Sequence, residues 1–154
     1  MKISHPYTRF DIDPQSKKIF PGKKYIFQPR IRFRIQSPES KKKLLIEGII
    51  DSGAEYCFLN HEIADCLDIS IKNGESMQVC GVGGYRIAYF HPVKFEFLFG
   101  LSKDSVKYDT SVGFFSKENG YQAPCLLGEY GFFNYFKVSF NLPQHSFEIE
   151  SAFH

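Results

Sequence analysis

A near-continuous apolar run, Leu44-Leu45-Ile46 and then Ile49-Ile50, stops at once in Asp51-Ser52-Gly53-Ala54. No other stretch constrains the fold as strongly. Apolar side chains at successive positions predict a strand buried on both faces. A carboxylate at the end of such a strand is costly to ionise unless backbone N–H groups or a partner stabilise it. Gly53 permits an immediate turn, and Ser52 places a hydroxyl beside the carboxylate. Taken alone, the string also fits an ordinary strand-to-turn Asx motif.

Two later stretches bear on that choice. Val79-Cys80-Gly81-Val82-Gly83-Gly84 lies between the strand-like segments Met77–Val79 and Tyr85–Phe90. A phosphate-binding loop needs a helix after its glycines. The segment that follows is strand-like, so a hairpin tip is predicted, with Gly83 and Gly84 at its end and positive φ expected at Gly83. Further on, Cys125-Leu126-Leu127-Gly128 is an apolar segment closed by glycine.

In this order and spacing, the three motifs resemble those of the retropepsin-like aspartic peptidases. The resemblance spans roughly residues 29–150. It implies an all-β, closed barrel-like domain of the acid-protease type with one or two short helices. It also implies a homodimer acting on a peptide or protein substrate. Asp51 is then the catalytic carboxylate, Ser52 locks the two loops across the dimer axis, and Gly53 offers its N–H to the carboxylate or substrate. Ala54 packs under the loop. Val82, Gly83 and Gly84 close over the peptide as a flap, and Leu126, Leu127 and Gly128 support the loop from behind.

The chemistry explains why such a chain must pair. Peptide hydrolysis by carboxylates needs one ionised group to take a proton from water and one protonated group to polarise the carbonyl. Two carboxyls about 3 Å apart share one proton and titrate as a unit. This chain has one Asp-Ser-Gly and no second copy, so the dyad requires a two-fold dimer. One departure stands out. Viral members carry an acid after the first motif and an arginine after the apolar-apolar-Gly element, whereas here the positions are Glu55 and Glu129. Two carboxylates cannot form that ion pair. A retropepsin-like module that dimerises or binds peptide without cleaving is the rival reading.

The remaining features bound the reading. The chain of 154 residues is 43% hydrophobic with 17 Phe, enough to build the core of one domain. Residues 29–154 form the expected peptidase domain. Residues 1–28, with Pro6, Pro14, Pro21 and Gly22, read as an irregular N-terminal arm with one short strand over Tyr7–Ile12. No run of about 20 apolar residues and no apolar leader are seen, so a cytoplasmic protein with no membrane partner is expected.

Cys57, Cys66, Cys80 and Cys125 form no C-x-x-C pair; they read as reduced thiols, with neither metal nor cofactor expected. Cys57 and His61 have nucleophile-and-base chemistry, but a core thiol near a surface imidazole is the favoured reading. Residues 1–50 hold 12 Lys and Arg against 4 Asp and Glu. Those basic residues are dispersed, which favours a solvated face over a nucleic-acid surface.

Coarse periodicity completes the outline. Ile31, Phe33 and Ile35 alternate with arginines, predicting a half-buried strand paired through residues 37–43 with the Leu44–Ile50 strand. Tyr56–Leu59 predicts a short strand, and Asn60 an N-cap for a helix over 61–68. Strands are predicted at Val93–Phe99, at 105–115, at Val138–Asn141 and at Phe147–Ile149. A second helix-like stretch is predicted from Gly128 through Phe136.

Overall fold

The alternation in residues 30–36 has a direct structural counterpart in the computed structural model, which describes residues 2–99, 104–119 and 124–152. Chain order begins with β1 (Lys2–Pro6), β2 (Thr8–Asp11), α1 (Pro14–Ile19) and β3 (Tyr25–Gln28). Next come β4 (Arg30–Gln36), β5 (Lys43–Ile50), β6 (Phe58–Leu59), α2 (His61–Cys66), β7 (Glu75–Gly81) and β8 (Gly84–Leu98). The last strands are β9 (Ser105–Phe114), β10 (Cys125–Leu127), β11 (Phe136–Asn141) and β12 (Ser146–Ser151). In β4, Ile31, Phe33 and Ile35 are buried while Arg32 and Arg34 face solvent.

The main sheet has the order β4-β5-β10-β6-β9-β8-β7, and β4 also pairs with β8. Six strands therefore close into a barrel, and β7 hangs outside it on β8. Closure removes the open edges that a flat sheet would leave. Inward residues fill the barrel with aromatic rings. Phe33, Phe95, Phe97, Phe114, Phe132 and Phe136 are fully buried. Phe97 lies within about 5 Å of Phe33, Phe132 and Phe136, ring centroid to centroid. Each such side chain contributes roughly 1.5–3 kcal/mol by leaving water.

Predicted strands beside Pro92 merge into one. Residues 84–98 run as a single strand, β8, through the proline. Pro92 sits between the end of the β7 ladder at Phe90 and the start of the β4 ladder at Lys94. No ladder bond is needed from its nitrogen on that edge, so proline is tolerated.

Three predictions are corrected. β5 is not buried on both faces, since Leu45 is 57% exposed and Leu44, Ile46 and Ile49 are half-buried. A barrel strand has one face outward, and β10 flanks β5 only at Gly48–Ile50. The stretch from Gly128 to Phe136 is a compact turn and not a helix. Its N–H groups at Phe133 and Asn134 reach back five residues, to the carbonyls of Gly128 and Glu129. Gly131 has φ +113°, outside the right-handed helical region.

The N-terminal segment is also more ordered than an irregular arm. β1 pairs antiparallel with β12 from Lys2↔Glu150 to Pro6↔Ser146, and β11 lies on the other side of β12. β2 and β3 form a separate hairpin. It rests on the body through the Phe27 ring, stacked 3.7 Å from His145, and through Arg30 over the Phe10 ring at 4.5 Å. Of the two short helices, α2 lies where it was predicted; α1 lies in this arm, capped by Asp13.

Candidate active site

The strand order β5-β10-β6 shapes the Asp51 loop. β10 inserts between two strands that are consecutive in sequence. Residues 51–57 must therefore leave β5, pass the end of β10 and re-enter as β6. Three backbone bonds fasten this crossing. Asp51 N–H donates to Leu127 O at 3.0 Å, Glu129 N–H to Ala54 O at 2.9 Å, and Tyr130 N–H to Glu55 O at 2.8 Å. The two chain segments lie so close that a Cβ at Gly128 would stand 2.5 Å from Ala54 O. Only glycine fits there. Leu127 is buried and Leu126 half-buried beneath the loop.

At the loop itself, Asp51 is half-buried and Ser52 and Gly53 are exposed. Gly53 N–H donates to Asp51 Oδ1 at 2.9 Å, and Ala54 N–H donates to Asp51 O at 3.2 Å. The carboxylate is thus held by a backbone donor within its own turn, and its side chain keeps acceptor capacity for another partner. Ser52 lines a groove of about 370 Å³ together with Glu129, Tyr130, Phe133 and Asn134. A separate groove of about 350 Å³, bounded by Asp68, Asn73 and His91, holds no residue of the Asp51 loop.

Glu55 and Glu129 both face solvent. Glu55 accepts a bond from Tyr56 Oη at 3.3 Å. The link between their segments is made by the backbone bonds above and by the stacked rings of Tyr56 and Tyr130, 5.8 Å apart. Tyr130, Phe133 and Asn134 escaped the sequence reading. The helix-like reading of this stretch rests on Phe132, Phe133 and Phe136, and only the turn places Tyr130, Phe133 and Asn134 beside Ser52.

The glycine-rich stretch is a hairpin tip. β7 and β8 pair up to Gly81↔Gly84, leaving Val82 and Gly83 at the apex, with Val82 fully exposed. The left-handed backbone lies at Gly84, φ +95°, and not at Gly83. Behind the tip, Arg86 Nη1 donates to Asn119 O, and Asn119 Nδ2 donates to Ile87 O at 3.2 Å. These bonds tie β8 to the 117–119 turn.

Thiol chemistry is disfavoured by burial. Cys57 is fully buried and accepts a bond from Gly128 N–H at 3.4 Å. Burial pushes its thiol up to about 12, so almost no thiolate exists near neutrality. Cys57 is a core residue beneath the crossing.

No protein-family model matches this chain, and no curated protein matches it. Among solved structures, it is similar to a retropepsin-like aspartic protease from Rickettsia conorii, with a TM-score of 0.54 and 10% sequence identity. The match covers 97% of this chain and 92% of that one. At this identity the likeness concerns the fold. The chain has a retropepsin-like, all-β barrel fold.

Proposed function

We propose that this protein is an aspartic endopeptidase that acts as a homodimer, with residues 29–154 as the peptidase domain. The observation that carries the reading is the Asp51 turn: a half-buried carboxylate beside an exposed serine, braced from below by the Gly128 crossing. Asp51 from each subunit supplies one half of the dyad. The ionised member takes a proton from water, and the protonated member polarises the scissile carbonyl. Ser52 bridges the two loops, and Gly53 N–H holds one carboxylate oxygen in place. Ala54 anchors the turn, and Val82, Gly83 and Gly84 cover an extended peptide that pairs as a strand. No cofactor is required.

The rival, a module that binds or dimerises without cleaving, draws its support from Glu55 and Glu129. With two exposed acids there, bracing of the loop rests on backbone bonds and stacked tyrosines. Asp51→Asn decides between the readings, because it keeps the side-chain shape and cannot act as a base. Hydrolysis of a peptide library should vanish while sedimentation still reports a dimer. Unchanged cleavage by Asp51→Asn would place the chemistry elsewhere. Dimers of the parent protein that cleave nothing from acid to neutral pH would establish the rival.

A further inference from the structure

The β2–β3 hairpin ends in a tip that joins basic and apolar side chains. Residues 14–24 contain Lys17, Lys18, Lys23 and Lys24 and no acidic residue. All four lysines are exposed. The whole chain has a net charge of only +2, so the residues outside this tip are together slightly acidic. Most other surface lysines and arginines are neutralised locally, as in Arg30–Glu47, Arg34–Glu96 and Lys107–Glu96.

Between the lysine pairs stand two large apolar side chains, Ile19 at 65% exposure and Phe20 at 57%. Neither packs against the core. Their positions are fixed by the backbone. Phe20 N–H donates to Ser16 O at 2.8 Å, Lys23 N–H donates to Phe20 O at 3.0 Å, and Ile12 N–H to Lys24 O at 3.2 Å closes the excursion. Lys23 Nζ lies 5.5 Å from the Phe20 ring centre. The result is an ordered apolar apex flanked along the chain by two exposed lysine pairs.

We propose that this tip docks on an anionic lipid surface. Clustered lysines are drawn to acidic headgroups, and an apolar pair at the same apex gains by entering the acyl boundary. The two features reinforce one another only at an interface that is negative outside and apolar within. A nucleic acid offers the charge, but it gives Ile19 no apolar medium to enter. The expectation of no membrane partner rested on the missing apolar span, which a surface-docked tip does not need.

The test uses the full chain and two vesicle types: equal parts phosphatidylcholine and phosphatidylserine, and phosphatidylcholine alone. Co-sedimentation should favour the anionic vesicles by about tenfold or more. Lys17→Glu with Lys18→Glu should weaken that binding by about tenfold or more, and so should Ile19→Ser with Phe20→Ser. All four side chains are exposed, so far-UV circular dichroism should match the parent. Because the chain has no Trp, Phe20→Trp adds a single reporter whose emission should shift to the blue on anionic vesicles. Equal binding to both vesicles, variants that bind as the parent does, or an unshifted emission would each overturn the proposal. Capture of a single-stranded oligonucleotide in place of the anionic vesicles would also overturn it, making the patch a nucleic-acid surface.

Discussion

Replacing Gly128 with alanine tests the crossing that positions Asp51. The new Cβ would stand 2.5 Å from Ala54 O and 2.7 Å from the carbonyl carbon of Tyr56. Both atoms are backbone, so no side chain can rotate away. The segments must part, at a strain of roughly 1–3 kcal/mol. Parting also weakens Glu129 N–H to Ala54 O and Tyr130 N–H to Glu55 O, each contributing about 1 kcal/mol. A loss of about 3–5 kcal/mol is expected, a large share of the ~5–15 kcal/mol that holds a domain folded. Urea titration followed by far-UV circular dichroism reads it out. Gly22→Ala is the control, since a Cβ there meets nothing within 4 Å; its effect should stay within about 0.5 kcal/mol. If Gly128→Ala loses under about 1 kcal/mol, the crossing is not tight and its role in bracing Asp51 is wrong.

The hairpin tip gives a second outcome: Gly84→Val should disturb the hairpin and slow peptide turnover more than Gly83→Val, because the left-handed φ lies at Gly84; kinetics for the two variants in the reverse order would refute this. Acid sensitivity should arise in part from His5, whose ring stacks on Phe147, whose Nε2 is buried without a partner among the described residues, and whose pKa burial lowers. The unfolded chain binds that proton more readily, so this contribution is complete above the unfolded value of about 6.5 and is lost as pH falls below it toward the folded value. His5→Phe should therefore narrow the difference in Tm between about pH 7.5 and about pH 5, and an unchanged difference would exclude His5 as a source. Thiol titration of the native protein should find Cys66 and Cys80 at once, and Cys57 and Cys125 only after unfolding, because the last two are buried with thiols pushed up to about 12; rapid reaction of all four would contradict the packed crossing.

The sequence by itself determined the strands whose side chains alternate. Ile31, Phe33 and Ile35 announced β4, and Val93, Phe95 and Phe97 the second half of β8, because burial of every other side chain is written in residue order. Asn60 announced α2 in the same local way, through a cap whose Oδ1 accepts from Ile63 N–H. The order of the three motifs pointed to the barrel fold. What the sequence could not carry was anything that depends on a distant neighbour. The apolar run of β5 looked doubly buried, but barrel closure turns the face that carries Leu45 outward. The Phe132, Phe133 and Phe136 spacing fits a helix until the backbone turn at Gly131 is known. β1 became a strand because β12, at the other end of the chain, offers it a free edge. Gly128 is the clearest case. Nothing adjacent in sequence requires glycine there; the demand comes from Ala54 and Tyr56, carried across it by the β5-β10-β6 strand order.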